Sequence, residues 1–342
     1  MSRKRSIGIS ILAAILIMIS ALFYLPYYVT KPGMAKELEP IVEVEGGYNG
    51  EEGDFMLTTV RMGRANIYAY LIAKLSKYQE IYPVEDIRAE DETDEEYNIR
   101  QLHMMDNSKT SAIEVAYKKA GKPVEYTYKG VYVLRTMEGM PAHGKLKPGD
   151  LVFKVDGNPF LSSEEFIKYI SSKKPGDTVQ LSYKRNGKSN QVKIPLKALD
   201  DGSNRPVVGI QLVDDKEIDV EPDVTVESEE IGGPSAGLMF SLEIYNQLVE
   251  EDLTKGYEIA GTGTMSTDGT VGRIGGIQQK VVAADKADAE IFFAPFEKGA
   301  KGSNYEEALI AAKDIKTKMK IVPVDTFEEA VSYLENLKEK SR

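Results

Sequence analysis

Hydrophobic and polar positions divide the chain into stretches of different character, beginning with an uncharged run over residues 6–30. At ~1.5 Å rise per helical residue, this run is long enough to cross the ~30 Å hydrocarbon layer of a bilayer. Arg3, Lys4 and Arg5 precede it, and an excess of positive charge there predicts a cytoplasmic N-terminus with the remaining chain outside. We expect a membrane anchor within residues 1–30, with three tyrosines at its outer interface: Tyr24, Tyr27 and Tyr28. A cleaved signal peptide is the alternative.

The next stretch, to residue 121, mixes strand and helix patterns. Alternation predicts a strand over residues 53–61, and apolar spacing predicts an amphipathic helix over residues 67–75. Between Glu85 and Glu96, eight of twelve residues are acidic, but no glycine supplies the tight turn of a calcium loop. A solvated acidic face is the better interpretation. Thr93 with Glu96 has the spacing of a capping box, which predicts that a helix begins there.

From about Val124 the pattern changes to short alternating strands separated by turn motifs. Asn186-Gly187 is the two-residue signal of a hairpin, and Ser162 with Glu165 predicts the start of one helix. After about Val207, strands and helices alternate with many glycines. The chain is therefore predicted to be α+β, with a small β-rich module inside it.

The sequence GVYVLRTMEGMPAHGKLKPGDLVFKVDGNPF at residues 130–160 resembles the PDZ domains associated with bacterial proteases, and the likeness covers residues 122–200. The resemblance implies that a peptide adds as a strand at a sheet edge, where backbone N–H groups receive its terminal carboxylate. By this resemblance the carboxylate loop is formed by Tyr128, Lys129, Gly130 and Val131. The alternative is that these residues form only a β-turn.

One serine lies at the predicted start of a helix. Residues 232–237 read GGPSAG and lead into an apolar segment at 238–248, which puts Ser235 at a helix N-terminus. Unpaired N–H groups and the positive end of the helix dipole stabilise an oxyanion there, and small neighbours admit a substrate backbone. An ordinary helix start, with serine and proline present for capping, is the alternative.

One lysine occupies an unexpected position for a charged residue. Ile277, Val281 and Ala284 mark the apolar face of a predicted helix, and Lys280 lies on that face. Burial lowers the pKa of an ammonium group, which makes a neutral amine available as a base for a serine hydroxyl. A lysine that extends to the helix edge explains the pattern equally well.

Together these segments resemble the proteolytic domain of the Lon family of Ser-Lys proteases. The shared motifs are GPSAG at 233–237, TG at 262–263 and GxVxxIGGIxxKxxAA at 269–284. The resemblance implies Ser235 as nucleophile, Lys280 as general base and Thr262 as the residue that positions the amine. Backbone groups around Ser235 would hold the oxyanion: Gly233, Pro234 and Ala236. Gly232 replaces an aspartate found in many Lon enzymes, and Gly263-Thr264 replaces a Gly-Glu pair.

Composition restricts the function classes further. The net charge of -11 argues against nucleic acid as a partner, because phosphate binding needs clustered cations. The absence of cysteine removes thiolate chemistry, disulfides and cysteine-rich zinc sites, so no cofactor and no metal are expected. His103 and His143 lack any motif around them and are expected to be structural. No phosphate-binding GxxxxGK[ST] occurs.

We therefore expect an ATP-independent serine endopeptidase that cleaves secreted peptides or unfolded and membrane-associated proteins outside the cytoplasm. An anchor, the PDZ-like module and the Lon-like domain together match the YlbL-type Lon-like proteases of Gram-positive bacteria. The expected domains are 1–30 (cytoplasmic tip and anchor), 35–121 (N-terminal part of the protease domain), 122–200 (PDZ-like) and 201–342 (catalytic). An inactive membrane-tethered PDZ adaptor is the alternative, and a signal peptidase with a Ser-Lys dyad is a third hypothesis. Homo-oligomer formation stays open.

Overall fold

The structure is a computed structural model that describes residues 20–340 except 51, 89–91, 200–201 and 229–230, together with Ile7, Ile11 and Met18. The strands are β1 (Tyr24–Glu37), β2 (Val42–Val44), β3 (Asp54–Asn66), β4 (Glu80–Pro83), β5 (Val124–Thr136), β6 (Leu151–Val155), β7 (Asn158–Pro159), β8 (Thr178–Arg185), β9 (Lys188–Pro195), β10 (Lys197–Ala198), β11 (Pro206–Val207), β12 (Ile210–Val220), β13 (Val224–Val226), β14 (Glu258–Gly261), β15 (Thr264–Met265), β16 (Val271–Gly272), β17 (Ile291–Pro295) and β18 (Lys320–Val324). The helices are α1 (Ile67–Leu75), α2 (Val84–Ile87), α3 (Asp94–Lys119), α4 (Ser163–Ser171), α5 (Gly237–Leu248), α6 (Ile277–Asp285), α7 (Asn304–Ile315) and α8 (Phe327–Glu335).

The predicted extent of the N-terminal anchor is wrong at its end. Residues 24–30 belong to β1, which pairs antiparallel with both β3 and β4, and Tyr28 is buried between them. An uncharged run rich in tyrosine and β-branched residues suits a strand as well as a membrane span, so hydropathy alone does not locate the boundary. Tyr27 packs against Tyr70 at a ring distance of 5.1 Å. Residues 6–19 lie outside the described part, apart from three positions.

No helix within residues 20–340, as far as they are described, has both the length and the apolar character to cross a membrane.

One of the two six-stranded sheets organises the part of the chain outside the β-rich module. Its strand order is β18-β17-β14-β3-β1-β4, with parallel pairing from β18 to β3 and antiparallel pairing from β3 to β4. Helices α6 and α7 pack with apolar residues of this sheet in one core, and α3, α5 and α8 contribute to another. Strand β3 is longer than β14, which pairs only with its first residues, Asp54–Leu57. The rest of β3 on that side has no strand partner among the described residues.

Helix α3 begins where the sequence predicts. The Thr93 hydroxyl accepts from the Glu96 N–H at 3.2 Å, and a Glu96 carboxylate oxygen accepts from the Thr93 N–H at 2.9 Å. This confirms the predicted capping box, whose two bonds satisfy N–H groups that a helix start leaves unpaired. The helix is 26 residues long and packs against α5 in the core that these two helices share with α8.

The β-rich module forms a second sheet in the order β12-β5-β6-β8-β9, with its own buried core. Strands β8 and β9 form the predicted hairpin, in which Arg185 pairs with Lys188 around Asn186-Gly187. Asn186 and Gly187 both have positive φ, as a two-residue hairpin turn of the primed type requires. The module is therefore a separately cored unit between two parts of the catalytic fold.

A two-stranded ribbon and one helix connect this module to the catalytic part. Strands β5 and β12 pair from Ile210↔Thr136 to Val220↔Val124, and the Val124–Val220 end packs on the catalytic core. The other end of the ribbon belongs to the core of the module. Helix α3 adds a contact through His103, whose ring lies 4.4 Å from that of Tyr132 on β5. Both predicted structural histidines are outside the serine-lysine site described below.

Candidate active site

The predicted nucleophile lies on a tight turn immediately before α5. Gly233 has φ +88°, a left-handed conformation that favours glycine, and its N–H donates to the Gln101 carbonyl of α3 at 2.9 Å. Ser235 follows on this turn, half-buried, with the helix beginning two residues later at Gly237. Nearly all residues of α5 are buried, so the turn is held by a rigid core element.

Lys280 reaches the serine from the buried face of α6, where the sequence placed it. Only 3% of its surface is exposed. Its Nζ lies 2.9 Å from the Ser235 Oγ and donates to the Thr58 carbonyl of β3 at 2.7 Å. A neutral amine with one hydrogen directed at that carbonyl has a lone pair available for the serine proton. The two predicted catalytic side chains therefore meet at hydrogen-bond distance, although they are 45 residues apart in sequence.

The protonation equilibrium of this lysine is strongly displaced. Burial lowers the pKa of Lys280 from 10.5 to about 7, and desolvation of the ammonium is the single cause. A substantial fraction of the amine is therefore neutral near pH 7, which a proton acceptor needs. A lysine extended to the helix edge would be exposed to solvent, so the burial of Lys280 shows that the edge alternative is wrong for this residue.

Thr262 does not position the lysine amine as the resemblance implied. Its hydroxyl donates to the carbonyl of Ser235 at 2.9 Å, and the Gly263 N–H donates to the same carbonyl at 3.0 Å. The partner of the amine is instead the Thr58 carbonyl. Every residue has a backbone carbonyl, so no sequence signal could have identified Thr58 for this contact.

A further serine, absent from the sequence prediction, holds the other side of the turn. Ser108 of α3 is buried, and its hydroxyl donates to the Pro234 carbonyl at 3.0 Å. In a trans peptide the C=O and N–H groups point in opposite directions. The N–H of Ser235 therefore points away from Ser108. By the same geometry, the N–H of Ala236 points away from Thr262.

These contacts separate the predicted oxyanion residues into two groups. The Gly233 N–H is already bound to Gln101, and Pro234 has no N–H to donate. The N–H groups of Ser235 and Ala236 have no acceptor among the described residues. The donors available to a developing oxyanion are thus Ser235 itself and Ala236, whereas Gly233 and Pro234 shape the turn.

A groove of about 1250 Å³ opens onto the serine and the lysine. This volume exceeds the roughly 300–1,000 Å³ typical of small-molecule pockets. One wall is the part of β3 beyond β14, at Thr59–Met62, and the opposite wall includes the serine turn. Apolar side chains from several elements complete the lining: Met34, Leu57, Ile87, Met105, Ile231 and Ile274.

The predicted carboxylate loop of the PDZ-like module is wrong. Residues 128–131 lie within β5, which pairs with β12 over these residues and with β6 only at Val131 and Tyr132, so they form a strand and not the predicted loop. Gly130 is required by packing, because a Cβ at this position would lie 2.3 Å from the Val152 carbonyl oxygen. Lys129 pairs with Glu217, and the Tyr128 hydroxyl donates to Asp214, both on β12.

The edge strands of that sheet are β12 and β9, and β12 comes last in the module's chain order. The turn before it contains Gly209 with φ +82°, and the N–H groups of Val208 and Gly209 have no acceptor among the described residues. Helix α4 lies beside this edge, where the Ser163 N–H donates to Asp214 at 2.7 Å. The Val207–Ile210 sequence, a glycine turn before an alternating strand, is the signal that could have identified this edge.

Known families match both parts of the chain. Residues 87–196 match the family model of the PDZ domain, and residues 211–336 match that of the Lon protease (S16) C-terminal proteolytic domain. The second match contains Ser235 and Lys280, and it also includes most of β12. The chain is thus similar to a PDZ domain over residues 87–196 and to a Lon-type proteolytic domain over residues 211–336.

Individual relatives agree with these matches. The Lon protease of Mesomycoplasma hyopneumoniae is 28% identical over 102 residues, which are 30% of this chain and 11% of that protein. The Lon protease of Campylobacter jejuni is 32% identical over 102 residues, covering 30% and 12%. The chain therefore matches about a tenth of the length of these relatives. The solved PDZ domain of the SdrC-like protein from Listeria monocytogenes is 49% identical and covers 25% of this chain and 90% of that one, with a TM-score of 0.25.

Proposed function

We propose that this chain is an ATP-independent serine endopeptidase in which Ser235 is the nucleophile and Lys280 the general base. The observation that carries the proposal is the 2.9 Å contact between a serine hydroxyl and a buried lysine whose pKa is about 7. A serine hydroxyl is a weak nucleophile unless a neighbouring base takes its proton, and a neutral amine meets that need. The match to the Lon proteolytic domain supports the same reaction class.

The proposed reaction follows from this geometry. The Ser235 Oγ attacks the scissile carbonyl while its proton moves to Nζ, and the resulting oxyanion accepts from the N–H groups of Ser235 and Ala236. The ammonium then gives the proton to the leaving amine as the C–N bond breaks. Water, deprotonated by the same amine, hydrolyses the acyl-enzyme. Backbone N–H donors of this kind contribute roughly 10²–10³ in kcat each.

The groove supports extended polypeptide as the substrate class. Strand β3 past Leu57 exposes backbone groups on the side facing the groove, so a substrate segment can pair there as an added strand. The apolar lining provides contacts for hydrophobic side chains of the substrate. A folded domain has no free strand to offer, which favours peptides and unfolded chains.

The direct test is cleavage of an unfolded protein and of a peptide library by the purified full chain. Ser235→Ala and Lys280→Arg should both lose cleavage, since guanidinium stays protonated at any workable pH. Ser241→Ala is the matched control, because this buried α5 serine donates only to the Gly237 carbonyl of its own helix. Wild-type cleavage by Ser235→Ala, with contamination excluded, would refute the proposal and favour the inactive adaptor.

A second function, peptide capture, is favoured by the open edge of β12. A peptide that adds beside β12 would present its C-terminal carboxylate to the free N–H groups of Val208 and Gly209. The Ser235→Ala chain should bind a free-acid peptide more tightly than the same peptide as an amide. A photocrosslinker at Gln211, on this edge, should capture the peptide, whereas one at Gln191, on the opposite edge strand β9, should not. Equal capture at both sites would contradict the assignment.

We further propose a membrane location, with residues 6–23 as the anchor and the catalytic part outside the cytoplasm. The support is the uncharged run and the preceding Arg3, Lys4 and Arg5. Eighteen residues at ~1.5 Å rise give about 27 Å, close to the ~30 Å hydrocarbon thickness. A C-terminal reporter should be accessible to protease added outside intact cells, and a protected reporter would contradict the orientation. Together these features support the YlbL-type assignment.

A further inference from the structure

Helix α1 presents an unusually apolar surface to solvent. Its exposed side chains recur at helical spacing and include Leu71 at 53%, Ile72 at 58% and Leu75 at 91% exposure, and Tyr68 is on the same face. Only Ala73 of this helix is fully buried. A surface helix normally turns its apolar face to the core. In α1 the leucines and isoleucines point outward instead.

The chain entering β1 extends this surface. Leu22 and Phe23 are 72% and 69% exposed, and Tyr24 is exposed as well. Two hydrogen bonds fix this segment against α1: the Asn66 side chain donates to the Ala21 carbonyl at 3.1 Å, and the Ser20 and Tyr68 hydroxyls lie 2.6 Å apart. We call this combined surface the apolar face, consisting of Leu22, Phe23, Tyr24, Tyr68, Leu71, Ile72 and Leu75. Contiguous exposed apolar patches of this kind mark interaction sites in proteins.

The charged residues nearest in sequence to the apolar face are basic, in a chain whose net charge is -11. No aspartate or glutamate occurs in residues 1–36 or 55–79, the two segments that supply the face, and Asp314 of α7 pairs with Lys77 beyond the end of α1. Arg64 and Lys74 are exposed beside it. An apolar surface with tyrosines and flanking cations is typical of interfacial helices that lie on anionic membranes.

We propose that the apolar face docks on the surface of a phospholipid bilayer, with α1 as an interfacial helix parallel to the membrane plane. The uncharged residues 6–23 end within this face, at Leu22 and Phe23, so a bilayer holding that segment would meet α1 next. The proposal rests on the proposed membrane location for this proximity and is independent of the dyad. Because Arg61 and Met62 of β3 line the catalytic groove just before α1, docking would hold the groove close to the membrane.

The absence of cysteine makes a site-specific test clean. Leu71→Cys and Leu75→Cys in the full chain are labelled with an environment-sensitive nitrobenzoxadiazole dye. Ile310→Cys is the matched control, since Ile310 is a 64% exposed aliphatic residue on α7. With vesicles of phosphatidylcholine and phosphatidylglycerol, the dye at 71 and 75 should brighten severalfold and be quenched by doxyl-labelled lipids. The dye at 310 should do neither.

The outcomes separate docking from anchoring and from catalysis. If the chain floats with vesicles but the dye at residue 71 behaves like the dye at residue 310, the docking proposal is overturned and the anchor proposal is supported. A chain that does not float overturns both. Brightening without vesicles and without lipid quenching shows that a second protein surface covers the face, which also overturns lipid docking. Peptidase activity is measured on the same samples, so failure of the proposed catalytic function is scored separately.

Discussion

Replacing Lys280 by methionine tests whether the buried amine is needed for cleavage and what its burial costs in stability. The substitution keeps a side chain of similar length while removing Nζ and its contacts with Ser235 and the Thr58 carbonyl. Cleavage should fall to background because the serine loses its base. Stability should respond in the opposite direction, since the protein no longer buries a group whose charged form is disfavoured there.

The sign and size of the stability effect follow from the two pKa values. The folded-state pKa of Lys280 is about 7 and the unfolded value is near 10.5, so between these pH values the unfolded chain holds more protons. The wild-type free energy of unfolding therefore rises with pH across this window, relative to the methionine variant. Below the folded pKa the burial penalty is fully present, with an upper limit of roughly 5 kcal/mol. From pH 7 to pH 9, about 2 kcal/mol of it is recovered.

Urea unfolding at pH 7, 8 and 9, followed by circular dichroism on the full chain, measures the difference between wild type and variant. Comparison of the two proteins cancels the other titrating groups, and comparison of their difference between pH values removes the fixed cost of leaving the Thr58 carbonyl unpaired in the variant. Lys286→Met, an exposed lysine at the end of the same helix, is the control and should show no pH-dependent difference. A Lys280→Met difference that stays constant, or that changes in the opposite direction, would refute the buried neutral amine and with it the base assignment.

Three further outcomes follow from the same site. The rate of peptide cleavage should rise about tenfold from pH 6 to pH 8 and then level off, as the amine of Lys280 deprotonates around pH 7; a profile still climbing steeply at pH 9 would contradict the lowered pKa. Ser108→Ala should reduce kcat roughly tenfold with little change in KM. It should weaken the binding of a peptide aldehyde inhibitor, whose adduct with the serine forms an oxyanion, more than the binding of a substrate peptide. Equal weakening of binding for both would indicate only structural damage. Gly237→Ala should lower the free energy of unfolding by roughly 1–3 kcal/mol, measured by urea unfolding, because its Cβ would lie 2.7 Å from that of Met265; an unchanged midpoint would contradict this packing.

Local patterns predicted the helices and singled out Ser235 and Lys280, but they left open whether Lys280 is buried or extends to the helix edge. The Thr93–Glu96 capping box is complete within four residues, so it could be predicted without knowing the fold. Lys280 could be located on a buried face because its helix repeats every 3.6 residues. Ser235 was identifiable from the turn residues around it. In each case the determining interactions lie within a few positions along the chain.

Tertiary structure decided which groups surround those side chains and which strand is an edge. The Thr58 carbonyl and the Ser108 hydroxyl reach the dyad from distant elements, and neither contact has a signature in sequence. Residues 128–131 resembled a binding loop, yet pairing with β12, which lies some 80 residues later in the chain, makes them part of a strand. The uncharged residues 24–30 were compatible with helix or strand until β3 and β4 paired with them. Strand pairing depends on partners far away in sequence, whereas helix formation depends on near neighbours, so the sequence specified the reactive residues and the fold specified their surroundings.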